Sequence, residues 1–203
     1  LGLNLNFMSK YFQSKTGLID FVAIEEELDQ LEDYSTQLLN FSKQRLEFLN
    51  LKYSKKNYEY AEEDDLDTDE ILKWTESTNF IGPSIFLLSL YFLTEKSLKN
   101  LCYSFTEGTK HWQVPEGERF KVSQKKNESI VEASIRYLKE TKKFNFELNS
   151  KTLSLFEEIR ILRNNFAHGD WENVQKNLSS IEINDAFKIV ADIFVQIEDG
   201  MVE

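Results

Sequence analysis

Residues 155–171 read LFEEIRILRNNFAHGDW, and the rest of the chain is organised around this stretch. Its apolar side chains have the i, i+4, i+7 and i+11 spacing of a buried helical stripe: Leu155, Ile159, Leu162 and Phe166. Arg163 falls at the margin of that stripe, where a guanidinium needs a partner because burying an unpaired charge is costly. Gly169 predicts the helix C-terminus, which puts His168 on the last turn.

The composition predicts a helical fold. The chain has 203 residues, enough for one domain with a sizeable core, and holds 16 Phe but only 7 Gly and 2 Pro. Scarce turn residues favour long helices over an all-β fold. The single cysteine, Cys102, excludes an intramolecular disulfide and a cysteine-rich metal site, and its apolar surroundings indicate a buried, inert thiol.

The apolar pattern predicts one all-α bundle of four to six helices over residues 17–203, after an irregular, loosely attached lead-in at 1–16. Met8 is a candidate true start. The expected helices run over these ranges: 18–53, 85–105 after Gly82-Pro83, 128–141, 150–167, and a last helix capped by Asn184. The longest apolar stretch, 85–93, is too short to span a bilayer and no signal peptide is evident, so we expect a soluble, cytoplasmic protein without membrane contact.

Residues 61–70 are expected to form an acidic loop. Seven of the nine residues from Glu62 to Glu70 are acidic, which is typical of a solvated loop. Asp65, Asp67 and Asp69 also occupy calcium-loop positions, but the glycine needed for the sharp turn is replaced by Glu70. Two minor alternatives are calcium binding and an internal electrostatic mimic of RNA.

Net charge is −11, which opposes broad affinity for nucleic acid, so an RNA ligand would need a local basic site. The most basic stretch is the predicted loop 106–127, where basic and aromatic residues alternate. Its candidate RNA-binding residues are Lys110, Trp112 and Arg119, joined by Lys99 from the preceding helix. An ordinary connecting loop is the alternative interpretation.

The motif Arg163-Asn-Asn-Phe-Ala-His168 resembles the Arg-(four to six residues)-His signature of the HEPN superfamily, including the polar Asn164 directly after the arginine. A second match is Glu95 followed by Lys99 on an earlier apolar helix, which is similar to a conserved HEPN helix. The two residues have the favourable i, i+4 order, so a surface ion pair is the alternative interpretation. The resemblance covers roughly residues 82–200.

The resemblance implies a metal-independent endoribonuclease in which Arg163 and His168 are catalytic. A histidine can act as general base or acid near neutral pH, and an arginine can stabilise the charged phosphorane. Asn164 would orient the phosphate or the histidine, and Glu95 would hold Arg163 or tune His168. The resemblance implies no cofactor.

HEPN ribonucleases build a composite site across a two-fold axis, so the resemblance predicts a homodimer with two 163–168 segments facing each other. Many are toxins of toxin–antitoxin or phage-defence systems, with an antitoxin or a nucleotidyltransferase-like partner. One HEPN subgroup carries a modified tyrosine two residues after the histidine, where this chain has Asp170.

Two other interpretations stay open. In the first, the chain resembles HEPN proteins that lack nuclease activity and bind a partner protein or a nucleotide. In an unrelated helical bundle, Arg163 would form a structural ion pair with Glu95 or Glu158, and His168 would cap a helix end.

Overall fold

A computed structural model of the chain describes residues 10–54, 64–108, 113–178 and 181–202. Within these ranges there are seven α-helices and no β-strand: α1 (Ile19–Ser54), α2 (Asp64–Glu76), α3 (Gly82–Glu107), α4 (Ile130–Glu140), α5 (Ser150–His168), α6 (Trp171–Leu178) and α7 (Ile183–Val202). A π-helical segment, Ser77–Ile81, joins α2 to α3 in one continuous helical run. Counting that run once leaves six helices, and the predicted all-α bundle is confirmed.

Helix α3 lies at the centre of the bundle. It packs against α1, α4, α5, α6 and α7, as its nearly all-round apolar sequence predicts. Four of its leucines are fully buried in one continuous core: Leu87, Leu90, Leu98 and Leu101. Burying a leucine side chain stabilises a fold by about 1.5–3 kcal/mol, so α3 dominates the core.

Local capping signals set the ends of α4 and α5. The Ser129 side chain accepts a hydrogen bond from the Glu132 amide, and Glu132 reciprocates in a capping box. Asn149 caps α5, and Gly169 ends it in the left-handed region at φ 70°, as predicted. The prediction that Asn184 caps the last helix is wrong: α7 begins at Ile183, so Asn184 lies inside its first turn.

The prediction of a loosely attached lead-in is wrong for residues 10–16; residues 1–9 lie outside the described ranges. Phe12 is only 1% exposed and packs between the rings of Phe21 and Phe194. The buried Glu198 carboxylate of α7 accepts hydrogen bonds from Ser14 and Thr16. This N-terminal segment is therefore part of the fold.

The predicted acidic loop at 61–70 is wrong from Asp64 onwards, where α2 begins; residues 61–63 lie outside the described ranges. A continuous helical backbone does not supply the looped ligand positions of a calcium site. Trp74 of α2 packs edge-on against Phe41 of α1, and the Arg45 guanidinium donates to the Glu70 carboxylate at 2.7 Å. Through these contacts α2 packs against the C-terminal half of α1.

One helical run, Thr68–Glu107, is long and apolar enough to cross a membrane by length and composition, with a mean hydropathy of 1.2 over its most apolar 18 residues. The central helix of a soluble bundle has the same character, and α3 packs against five other helices here. The absence of membrane contact and the cytoplasmic location stay predictions.

Candidate functional site

The Arg163–His168 segment lies where α5 runs antiparallel to α3. Near the middle of both helices, the ring of Tyr91 stacks on Phe156 with centroids 5.2 Å apart. At the C-terminal end of α5, Trp171 packs edge-on against Phe80, which precedes α3. The last two turns of α5 are therefore held against the first turns of α3.

Arg163 is half-buried and sits on two aromatic rings. Its Cζ atom is 5.7 Å from the ring centroids of both Tyr91 and Phe92, within cation–π range. Its Nη1 atom donates to Asn164 Oδ1 at 3.0 Å, so the predicted site residue Asn164 does contact the arginine. No carboxylate forms an ion pair with Arg163 in the part of the chain that the structure describes. The structural ion pair of Arg163 with Glu95 or Glu158 is therefore not formed.

His168 is the last residue of α5 and is exposed to solvent. The turn after it is fixed by the left-handed Gly169 and by Trp171, whose ring lies between Phe166 and Phe80. Five residues along an ideal helix rotate a side chain by about 140° and advance it by about 7.5 Å. One chain therefore does not direct Arg163 and His168 at the same point.

Glu95 forms the i, i+4 ion pair with Lys99 that their spacing allows. Its carboxylate accepts from Lys99 Nζ at 2.5 Å, and the side chains are 19% and 49% exposed respectively. The expected bond to Arg163 is not formed in this chain. The burial of Tyr91 raises the pKa of its phenol, and the nearby Glu95 carboxylate adds to that rise. Glu95 therefore bonds Lys99 directly and lies close to the Tyr91 ring on which Arg163 rests.

A groove runs from Phe92 along the C-terminal half of α3, with a volume of about 580 Å³. Its opposite wall is the segment 119–130. We call it the basic groove; its charged and aromatic lining consists chiefly of Phe92, Lys96, Lys99, Arg119, Phe120 and Lys121. The predicted RNA-binding residues Lys99 and Arg119 thus share one site. Lys110 and Trp112 lie outside the described residues.

The outer wall of the basic groove is fastened to α4. The Arg136 guanidinium donates to both Glu128 carboxylate oxygens, at 2.7 and 2.8 Å, and to the Ser123 carbonyl at 2.8 Å. The Arg136 guanidinium lowers the pKa of the Glu128 carboxyl to about 2. Arg119 donates to the Val114 carbonyl, which fixes the direction of its side chain. The wall is therefore ordered although it lacks regular secondary structure.

A further surface meets the basic groove at Phe92, where Phe92 and Tyr34 line a second shallow depression between α3 and α1. Leu38 lies one turn beyond Tyr34 on α1, and Ile85 lies two turns before Phe92 on α3. Tyr34, Leu38 and Ile85 are between 40% and 61% exposed, and we call these three side chains the apolar face. Phe92 lies between the apolar face and the basic groove.

Neither a metal centre nor a reactive thiol is formed by the residues in the described ranges. They include no cluster of three His, Cys, Asp or Glu side chains that could hold an ion. Cys102 is fully buried and its thiol contacts the Ser134 carbonyl; burial raises its pKa to about 12, so it is a poor nucleophile.

Comparisons with protein-family models, with curated proteins and with solved structures find no match to this chain. The resemblance to HEPN proteins rests on the two motifs quoted above. The sequence did not identify Tyr91 and Phe92 as the rings that contact Arg163. Both lie in a nearly all-apolar run, where nothing in the sequence distinguishes a ring that contacts a functional residue from a ring in the core. Lys96 was also not predicted as a site residue, although its position one helical turn before Lys99 places both lysines on the same side of the helix.

Proposed function

We propose that this protein is a metal-independent endoribonuclease whose catalytic residues are Arg163 and His168. The proposal rests on the surroundings of Arg163. Its guanidinium is oriented by Tyr91, Phe92 and Asn164, but is not neutralised by a carboxylate within the described residues. An oriented guanidinium with unoccupied donors can form paired hydrogen bonds with a phosphate.

The chemistry follows from RNA itself. A base removes the proton of the 2′-hydroxyl, the oxygen attacks the adjacent phosphorus, and the bond to the 5′-oxygen breaks as an acid supplies a proton. An exposed histidine such as His168 can perform either proton transfer near neutral pH. Arg163 would stabilise the added negative charge of the phosphorane. The products carry a 2′,3′-cyclic phosphate, or its hydrolysed form, and a free 5′-hydroxyl.

Two copies would complete the site. The reaction needs two proton transfers, and one chain offers one motif histidine, pointing about 140° away from Arg163. A homodimer with facing 163–168 segments supplies two of each residue. The apolar face next to Phe92 supports this arrangement, because monomers rarely leave neighbouring large apolar side chains exposed.

The biological setting proposed is that of the HEPN toxins: a cytoplasmic, growth-arresting or antiviral ribonuclease without membrane contact. An antitoxin or a nucleotidyltransferase-like protein would be its partner. Because Asp170 occupies the position of the modified tyrosine in one subgroup, that form of control is not proposed here.

The proposed activity is tested by incubating purified protein with RNA in EDTA. Wild type should cleave and leave cyclic phosphate ends, whereas His168→Ala should not. The matched control is His111→Ala, which removes the chain's other histidine and should leave cleavage unchanged. Arg163→Lys should cleave slowly, because lysine keeps the charge but not the planar fork. Equal cleavage by wild type and His168→Ala would refute the assignment.

The dimer has its own test in light scattering after gel filtration. Ile85→Glu places a charge on the apolar face and should give a folded monomer without activity. Leu153→Glu is the control, because Leu153 on α5 is as exposed as Ile85, at 47%, but is not part of the apolar face. A wild-type monomer that cleaves RNA would exclude the composite site.

The second candidate is a non-catalytic HEPN module that binds a partner protein or a nucleotide. The exposed apolar face favours it, because the same surface could receive another protein. Absence of cleavage by folded wild type would favour this function over the nuclease.

A further inference from the structure

The basic groove concentrates positive charge on an acidic protein. Four cationic side chains line it and one lining carboxylate, Glu95, opposes them, whereas the whole chain carries a net charge of −11. RNA approaching such a chain is repelled over most of the surface and attracted only where cations outnumber acids. The groove is therefore a site on this acidic chain where an anionic strand can be held.

Three of these cations are already held in position. Lys99 is bound by Glu95, Lys96 is bound by Glu27 at 2.6 Å, and Arg119 donates to a backbone carbonyl. A lysine ammonium has three donors, so a lysine in an ion pair can still bind a phosphate oxygen. Binding to side chains whose direction is already fixed loses less rotamer freedom than binding to free ones.

Aromatic rings stand between the cations. Phe92 is 51% exposed at the Arg163 end, and Phe120 is half-buried, with its ring 5.1 Å from that of Tyr137. Unpaired bases stack on such rings, whereas the bases of a duplex are already stacked and paired. Alternating cations and rings therefore suit a single strand better than a helix or an acidic peptide.

We propose that the basic groove binds a single-stranded segment of the RNA substrate on one side of the phosphate that Arg163 holds. The proposal rests on the proposed function. Phe92 makes the connection, since it lines the groove and also lies 5.7 Å beneath the Arg163 guanidinium. The phosphates lie against Lys96, Lys99, Arg119 and Lys121, and a base stacks at each end. The volume of about 580 Å³ is within the range of pockets that enclose nucleotide-sized ligands.

The test measures binding by fluorescence anisotropy, with a labelled single-stranded RNA of about 15 nucleotides, in EDTA. The protein is the full chain carrying His168→Ala, so that bound RNA is not cut. The groove variant adds Lys99→Gln and Lys121→Gln. The control adds Lys43→Gln and Lys188→Gln instead, which removes the same two charges from exposed positions outside the groove.

We expect the groove variant to bind about tenfold more weakly and its log–log salt slope to fall by about 1.4, since each lost phosphate contact on a single strand removes about 0.7. The control should bind as the parent does. Phe92→Ala should weaken binding about five- to 100-fold with little change in the salt slope. Circular dichroism should show all variants folded.

Cleavage assays distinguish the failure of this proposal from the failure of the proposed nuclease activity. They use the same lysine substitutions in a chain that keeps His168. If wild type cleaves and the Lys99/Lys121 variant binds and cleaves as well as the control, the groove is refuted and the nuclease stands. If wild type never cleaves but the groove variant alone loses RNA binding, the groove stands and the nuclease falls. Absence of RNA binding by the parent, equal affinity for a duplex, or equal competition by polyglutamate would each refute the groove.

Discussion

Replacing Glu198 by glutamine tests how firmly the N-terminal segment is built into the bundle. The Glu198 side chain is buried, and its Oε1 atom accepts four hydrogen bonds. The donors are Ser14 Oγ at 2.9 Å, the Lys15 amide at 3.0 Å, and the Thr16 amide and Oγ1 at 2.8 and 2.5 Å. One carboxylate therefore ties residues 14–16 to α7.

The expected loss of stability follows from these bonds. Glutamine keeps an acceptor oxygen but no charge, and charge-assisted hydrogen bonds are worth about 1.5–3 kcal/mol against about 1 kcal/mol for neutral ones. Its amide nitrogen replaces Oε2, a buried atom with no hydrogen-bond partner among the described residues, so buried N–H donors are added without acceptors. We expect Glu198→Gln to lower the free energy of unfolding by about 2–4 kcal/mol, and Tm by roughly 5–15 °C.

The loss should depend on pH. Burial alone would raise the pKa of the Glu198 carboxyl, but hydrogen bonds from Thr16, Lys15 and Ser14 outweigh burial and lower it. A carboxyl with a folded-state pKa below its unfolded value stabilises the fold fully above the unfolded value, and this stabilisation is lost as pH falls through the folded value. The difference between wild type and Glu198→Gln should therefore be largest near neutral pH and shrink in acid.

Urea unfolding across this pH range, followed by circular dichroism, measures the difference. The control is Asp199→Asn, because Asp199 is 50% exposed and forms an ion pair with Lys15 of the same N-terminal segment. An exposed pair contributes only about 0–1 kcal/mol. Equal small losses in the two variants, or a Glu198→Gln loss that does not change with pH, would refute the argument.

Three further outcomes can be measured on the same protein. Gly200→Ala should lower Tm although alanine favours helices, because the new Cβ atom would lie 2.5 Å from the Asn145 carbonyl oxygen; Gly117→Ala, with nothing within 4 Å, should be neutral. Cys102 should resist a thiol reagent in the native state and react fully in denaturant, since burial raises its pKa to about 12. Glu128→Gln should lower Tm near neutral pH, and the difference should vanish as pH falls from about 4.5 towards about 2, where the wild-type carboxyl of lowered pKa is itself protonated.

The helices that carry dense apolar stripes or strong caps could be predicted from the sequence. The first helix, α4 and α5 lie within about two residues of their expected ranges, and α3 begins three residues earlier than expected, at Gly82. Helices α2 and α6 were missed because they bury little: Val174 is the buried side chain of α6, and Trp74 of α2 rests on a single ring of α1. Such helices depend on tertiary contacts more than on their own periodicity.

The lead-in was misjudged for a related reason. Phe12 and its neighbour Tyr11 lie in a short stretch with neither helical nor strand periodicity, so no pattern marks Phe12 as core. Its burial depends on Phe21 and Phe194, one close in sequence and one distant. Tyr11 adds a second long-range ring contact, with Phe187 of α7. Long-range aromatic contacts leave no trace in local sequence statistics, although a buried phenylalanine stabilises a fold by several kcal/mol, typically about 3–5.

In the candidate site too, contacts between residues close in sequence could be predicted, and contacts between different helices could not. The sequence located Arg163 and Asn164, which are neighbours and do bond to each other. Of the interpretations open for Glu95, the ion pair with Lys99 is formed and the bond to Arg163 is not, because a partner one turn away on the same helix competes with any partner on another helix. Lys99 and Glu95 are one turn apart on α3, so their ion pair does not depend on the packing of other helices. Arg163 makes cation–π contacts with Tyr91 and Phe92 instead.

The pairing of Glu95 with Lys99 affects how Arg163 can bind a phosphate. Had Glu95 formed a two-pronged bond with Arg163, it would have occupied the edge of the guanidinium that binds a phosphate through paired hydrogen bonds. The rings of Tyr91 and Phe92 orient the guanidinium and leave that edge free, since cation–π contacts use the flat face. A lysine differs, because its ammonium has three donors and keeps some of them when one is paired. The Glu95–Lys99 pair therefore holds a lysine in the basic groove, and no carboxylate within the described residues occupies the edge of Arg163.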